Sequence, residues 1–119
     1  MLAFEVREAL RGFGQDHVYL EPLIADHLSV GVALWKAGTA DHQRPHEEDE
    51  VYCVVAGRGR IEVGEGEANE DRAVEPGSVV YVGARVPHHF HSIEEDLQVV
   101  VFWVPPHRGQ ETPREAPRP

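Results

Sequence analysis

From residue 17 onward the sequence is built of short valine-rich runs, each closed by glycine, proline or a cluster of acids. Runs of four to eight residues with that punctuation are too short for helices and suit strands joined by tight turns, so the pattern confines the chain to an all-β sandwich or barrel. The strands expected on this basis are 18–20, 28–35, 51–56, 60–63, 78–82, 87–92 and 97–103. In the second, Leu28, Val30, Val32 and Leu34 alternate with His27, Ser29, Gly31 and Ala33, giving one bulky apolar face. GRG at 57–59 and EPG at 75–77 read as turns, the first closing a hairpin. The acids at 65–71 read as a solvated loop tip.

Two stretches fall outside this texture. Near the N-terminus, Val6, Ala9, Leu10 and Phe13 recur at helical spacing and stop at Gly12 and Gly14, which predicts one short amphipathic helix. Residues 105–119 hold five of the nine prolines and no large apolar side chain, so they read as a flexible tail behind a single domain spanning 1–104, with no structural partner foreseen for His107. A chain of 119 residues with 41% apolar content can bury one modest core. No repeat of fixed period interrupts it.

The formal charge of −10 repels phosphate backbones and anionic lipid, which argues against nucleic acid and membrane as partners. The charged N-terminus lacks the features of a secretory signal, no window approaches the roughly 20 apolar residues of a membrane span, and a lone Cys53 reads as a buried hydrophobe in a reducing compartment. The expected location is the cytoplasm.

The stretch QRPHEEDEVYCVV places a histidine and four acids directly before an apolar strand. Pro45 followed by Glu47, Glu48 and Asp49 resembles a helix start, but VYCVV is gapless, β-branched and glycine-terminated, and so reads as a buried strand. Along one straight strand His46 and Glu50 would lie about 13 Å apart. For both to reach one ion the chain has to turn between them, with Glu47, Glu48 and Asp49 solvated in the turn. Glu50 then opens the strand on the face of Tyr52 and Val54, opposite Val51, Cys53 and Val55. A carboxylate on a buried face needs a partner, and a divalent ion shared with imidazole supplies one. An acidic loop with an exposed histidine is the plainer alternative. In HHFH at 88–91, His88 shares a face with Phe90 while His89 and His91 share the other. Tyr52, Tyr81, Trp35 and Trp103 are either core or pocket lining.

The spacing of Gly38, Arg44-Pro45-His46, Glu50 and Gly57, followed by Gly77 and His88, resembles the two motifs of the cupin superfamily. The resemblance covers residues 38–92 and implies a jelly-roll barrel, a double-stranded β-helix, with His46, Glu50 and His88 as metal ligands. Gly83, Arg85 and Ser92 depart from the second motif's proline, glycine and asparagine, changing turn chemistry but sparing the fold. Arg44 departs more seriously, since it stands where the first motif has its first histidine and a guanidinium cannot ligate a metal. Three arrangements answer that: His42 or Gln43 swings in as a fourth ligand, the position stays open to water or substrate, or Arg44 turns inward toward an anionic substrate. The open position is favoured here, because two histidines and one carboxylate with free positions suit iron, with zinc, manganese or nickel also tolerated. The expectation is a metal-binding cupin acting on a small organic molecule, with a metal-dependent dioxygenase placed ahead of an isomerase or lyase. The alternative is a non-catalytic binding or sensing module with a structural metal or none. The resemblance also implies a homodimer.

Overall fold

In a computed structural model the described residues are 1–14 and 18–108. Among them one short α-helix, α1 (Val6–Arg11), precedes six strands, β1 (Tyr19–Ile24), β2 (Ser29–Trp35), β3 (Asp49–Val63), β4 (Glu70–Val74), β5 (Val79–Val82) and β6 (His88–Val104), with a single 3-10 turn at Gly66–Ala68 between β3 and β4. Every pairing is antiparallel, in the order β1-β2-β6-β3-β4, with β5 on β3. This is the all-β jelly roll with a short N-terminal helix that the sequence predicts. The helix stops at Gly12, packs against β2, and leaves Val6, Ala9 and Leu10 half-buried. No helix among the described residues is long and apolar enough to cross a membrane.

The largest departure from expectation lies at 57–59, where no hairpin forms. β3 runs through GRG without a break, and the expected strands at 87–92 and 97–103 likewise fuse into β6. Register shifts at Val54/Ala56, Ala56/Arg58 and Arg58/Arg60 bend the paired strands instead of ending them. Gly57 sits at φ 93°, and a Cβ there would lie 2.1 Å from the Asp96 carbonyl oxygen, so only glycine lets β6 approach so closely.

That bend positions the site. Glu50 pairs with Trp103 at one end of the β3–β6 ribbon and Val63 with His88 at the other. Drawn straight, those ends would be about 43 Å apart at about 3.3 Å per residue. Yet the Glu50 and His88 side chains meet at 2.8 Å, because the ribbon curls back on itself.

Alternation along β3 is as expected, with Glu50, Tyr52 and Val54 buried, Val51 half-buried and Val55 exposed. Cys53, expected to be buried, is half-buried on the outer side. Both faces of β2 are buried: Ala33 and Trp35 join the core with Phe90, Ile61, Leu97, Val99 and Val101, while Val30 and Val32 are covered opposite. EPG at 75–77 turns as predicted, closed by the Ser78 amide on the Glu75 carbonyl. The acidic segment is only partly a loop tip, since Glu70 and Asp71 begin β4, an exposed edge strand whose polar sequence hid it. Two motif departures acquire a physical meaning: Arg85 and Ser92 adopt φ 64° and 50°, the left-handed region that glycine and asparagine enter at least cost.

Candidate metal centre

Residues 41–46 lie outside any strand, so the two-residue alternation of an H-x-H pair does not govern them. Arg44, Pro45 and His42 point to solvent, whereas Gln43 turns inward. Asp41 fixes this turn. Its Oδ1 accepts the Gln43 amide N–H at 3.0 Å, and its Oδ2 accepts from Gln43 Nε2 at 2.6 Å and from the Phe90 amide at 2.8 Å. With Nε2 held there, Gln43 Oε1 must face the opposite way, into the site.

Three further side chains converge on that oxygen. His46 Nε2 is 3.0 Å from it, His88 Nε2 3.1 Å and the Tyr52 hydroxyl, which donates to it, 3.1 Å. Glu50 Oε1 stands 2.8 Å from His88 Nε2. Donors spaced about 3 Å apart are what adjacent ligands at about 2.1 Å around one six-coordinate ion require. His46, Glu50 and His88 are buried, at 6%, 1% and 5% exposure, and offer ligand atoms within 4.8 Å of one another, so together they could hold a metal.

His88 carries the chemical argument. Its Nδ1 lies 2.8 Å from the Val86 carbonyl oxygen, which only accepts, so Nδ1 bears the proton. In a neutral ring Nε2 is then a bare lone pair, facing one donor, the Tyr52 hydroxyl at 3.0 Å, and two oxygens, those of Glu50 and Gln43, that also carry lone pairs, the Glu50 oxygen at 2.8 Å. Such a cluster requires a second proton or a cation at its centre. Without a metal the proton serves: burial, the largest influence on His88, pushes its pKa down, but the Glu50 hydrogen bond and charge outweigh it and the net shift is upward. Burial raises the Glu50 and Asp41 carboxyls against their hydrogen bonds. Glu50 Oε2 is buried with no hydrogen-bond partner among the described residues.

The loop around His46 is braced from both sides. Its carbonyl accepts the Arg85 amide N–H, and its ring meets the Trp103 ring edge-on at 4.8 Å. Of the other aromatic residues, Tyr52 is in the site, Trp35 packs on Phe90 in the core, and Tyr81 is 64% exposed on the outer surface. His89 and His91 face outward as predicted, beside Glu62 and Asp71.

Sequence reasoning missed three participants and misplaced one acid. Asp41 went unnoticed, although a carboxylate two residues before Gln43 is the available signal. Tyr52 is expected only as core or pocket lining. Glu48, expected to be solvated, is 4% exposed, while Glu47 at the surface pairs with Arg85. Glu48 turns inward because His107 is there: the imidazole expected to lack a partner is 0% exposed, with Nδ1 3.3 Å from Glu48 Oε2. Residues 109–119 of the expected tail lie outside the described residues.

Comparison with known proteins agrees with this architecture. The Cupin domain family pattern matches residues 31–105. The uncharacterized protein SCO3923 of Streptomyces coelicolor is 50% identical over 91 residues, covering 76% of this chain and 83% of that one. TT1209 of Thermus thermophilus superposes with TM-score 0.71 at 20% identity, covering 89% of this chain and 99% of that one. The DMSP lyase DddQ of Ruegeria pomeroyi gives TM-score 0.66 at 18% identity, covering 87% of this chain and 55% of that one. With the family pattern spanning both motifs and a relative at half identity, this chain belongs to the cupin family.

Proposed function

We propose that the chain is a metal-dependent enzyme acting on a small oxygen-bearing organic molecule, with one divalent transition ion held by Gln43, His46, Glu50 and His88. The observation that carries this reading is the His88 lone pair set against two acceptor oxygens at 2.8 and 3.1 Å. A bound ion supplies Lewis acidity toward a carbonyl, carboxylate or enolate oxygen. Gln43, half-buried where the other three are buried, marks the side from which a substrate reaches it.

Tyr52 adds a proton. Burial, followed by the charges of Glu50 and Asp41, holds its phenol well above the usual tyrosine range, so it remains a donor. Its hydroxyl lies 3.0 Å from His88 Nε2. With the His88 lone pair and the Gln43 oxygen, its two present acceptors, both committed to an ion, the phenol proton would be left for a substrate oxygen beside it. This pairing favours a proton-transfer reaction such as a lyase or isomerase step. The dioxygenase expectation draws on an open two-histidine, one-carboxylate set; with Gln43 as a fourth ligand a six-coordinate ion still keeps two positions for substrate or oxygen, so the choice between the reactions rests on Tyr52.

The test is elemental analysis of protein purified without added metal or chelator, followed by a small-acid substrate panel with oxygen uptake recorded. Turnover without oxygen consumption, lost in Tyr52→Phe with metal retained, supports the reading. Oxygen uptake restores the dioxygenase. Retained metal with ligand binding but no turnover makes the chain a binding module.

We propose further that the chain forms a homodimer. Val79 and Tyr81 on β5 and Phe102 and Val104 on β6 are exposed on the outer face, and Tyr81 and Phe102 flank Val51 of β3 in register. Light scattering should give twice the chain mass, reduced to one by Tyr81→Asp.

A further inference from the structure

Beyond the four-residue centre, a second cluster of metal-binding side chains lies against it. His46, Glu48 and His107 are all buried and offer ligand atoms within 4.8 Å of one another. His107 arrives from the segment after β6, and its placement is built. Its backbone amide donates to Ser29 Oγ at 2.9 Å, its ring stacks on Trp103 at 4.1 Å and 14°, and Tyr19 meets it edge-on at 5.9 Å. The Arg108 amide donates to Glu21 Oε2 at 2.9 Å, tying the following residue to β1. The Glu48 Oε2 to His107 Nδ1 separation of 3.3 Å equals the edge of a tetrahedron of ligands about 2.05 Å from a zinc-like ion.

We propose that His46, Glu48 and His107 form a second metal position, with the His46 imidazole shared between the two ions. His46 Nε2 faces Gln43 and the first centre, so Nδ1, on the other side of the ring, is the atom it would offer the second. The charges support two ions. Asp41, Glu48 and Glu50 place three buried carboxylates around the two positions, more negative charge than one dication offsets. The second ion needs no substrate access, and its three ligands are all buried. Its role is to fix the orientation and raise the donor strength of His46 toward the first ion.

The inference rests on the first centre through His46, so the experiment separates the two. The full chain is stripped with chelator, reloaded with cobalt(II) or zinc(II) alone, desalted and counted by elemental analysis. Two equivalents per chain are expected, falling to one in His107→Gln, in Glu48→Gln and in Glu50→Gln. With copper(II), the integrated electron paramagnetic resonance signal should fall short of the copper content, because an imidazolate bridge couples the two spins. One equivalent lost in Glu50→Gln but kept in His107→Gln and Glu48→Gln overturns the second position and leaves the first standing. One equivalent with the opposite sensitivities supports the second position and removes the first. No retained metal overturns both. Where a variant fails to fold by circular dichroism, the count and spin deficit of the unsubstituted chain decide alone.

Discussion

Replacing Asp41 by asparagine should damage the metal centre without touching a ligand. The Asp41 carboxylate receives three N–H groups, the Gln43 side chain at 2.6 Å, the Phe90 amide at 2.8 Å and the Gln43 amide at 3.0 Å. Asparagine offers one accepting oxygen, so at least one of those donors would confront an NH2 group. If that donor is Gln43 Nε2, the amide turns over and presents NH2 rather than Oε1 to the ion. Loss of a residue that orients a ligand costs about 10–100-fold in metal affinity, or about 1.4–2.8 kcal/mol. The fold pays separately, since each hydrogen bond to a charged acceptor contributes about 1.5–3 kcal/mol. Zinc affinity from competition with a chromogenic chelator, with thermal melting of the metal-free protein alongside, separates the two effects. Gln43→Ala should lose comparable affinity with a smaller change in melting. Zinc affinity in Asp41→Asn within twofold of the unsubstituted protein would refute the claim that Asp41 aims Gln43 at the ion.

The metal-dependent gain in stability should grow with pH. Burial raises the Glu50 and Asp41 carboxyls, and on His88 the Glu50 interaction outweighs burial to give a net rise, so the folded metal-free chain binds protons more tightly than the unfolded one. For His88 the stabilisation is present below the unfolded pKa near 6.5 and lost as pH rises through the higher folded value. The raised carboxyls likewise penalise the metal-free fold as pH climbs from about 4, whereas the ion needs its ligands Glu50 and His88 deprotonated. The melting difference between zinc-saturated and chelator-treated protein should therefore widen from about pH 5 to about pH 8; a constant difference contradicts the assignment. Arg85→Gly should stabilise the chain by about 1 kcal/mol, or about 4 °C, by relieving the left-handed backbone at φ 64°, with little lost from its exposed pair with Glu47. Gly57→Ala should cost more than about 4 kcal/mol and abolish soluble expression, because its Cβ meets backbone at 2.1 Å.

What could be read in the sequence followed its regular periodicities. The period of two along β3 placed Glu50 with Tyr52, and the same rule turned His88 inward beside Phe90 with His89 and His91 outside. Where the backbone leaves regular geometry the rule has nothing to act on. Asp41 to His46 is irregular chain containing a proline, so the inward residue is Gln43, one position before the Arg44 that stands at the motif's first histidine, and its aim depends on a carboxylate that no periodicity selects. His107 was hidden by composition. Proline-rich sequence reads as flexible, but Pro105 and Pro106 directly after a strand make a stiff spacer that carries the imidazole a defined distance onto Trp103. GRG misled because a glycine that permits a tight turn equally permits two strands to bend in close contact.

The curled β3–β6 ribbon has a consequence for how the protein comes apart. Its two ends are joined by Glu50 and His88, whose contact forms only after the whole ribbon has wrapped round. An ion seated there acts as a clasp on the contact that the ribbon closes last. Metal loading should then lengthen the lifetime of the native state by slowing unfolding while leaving the refolding rate almost unchanged.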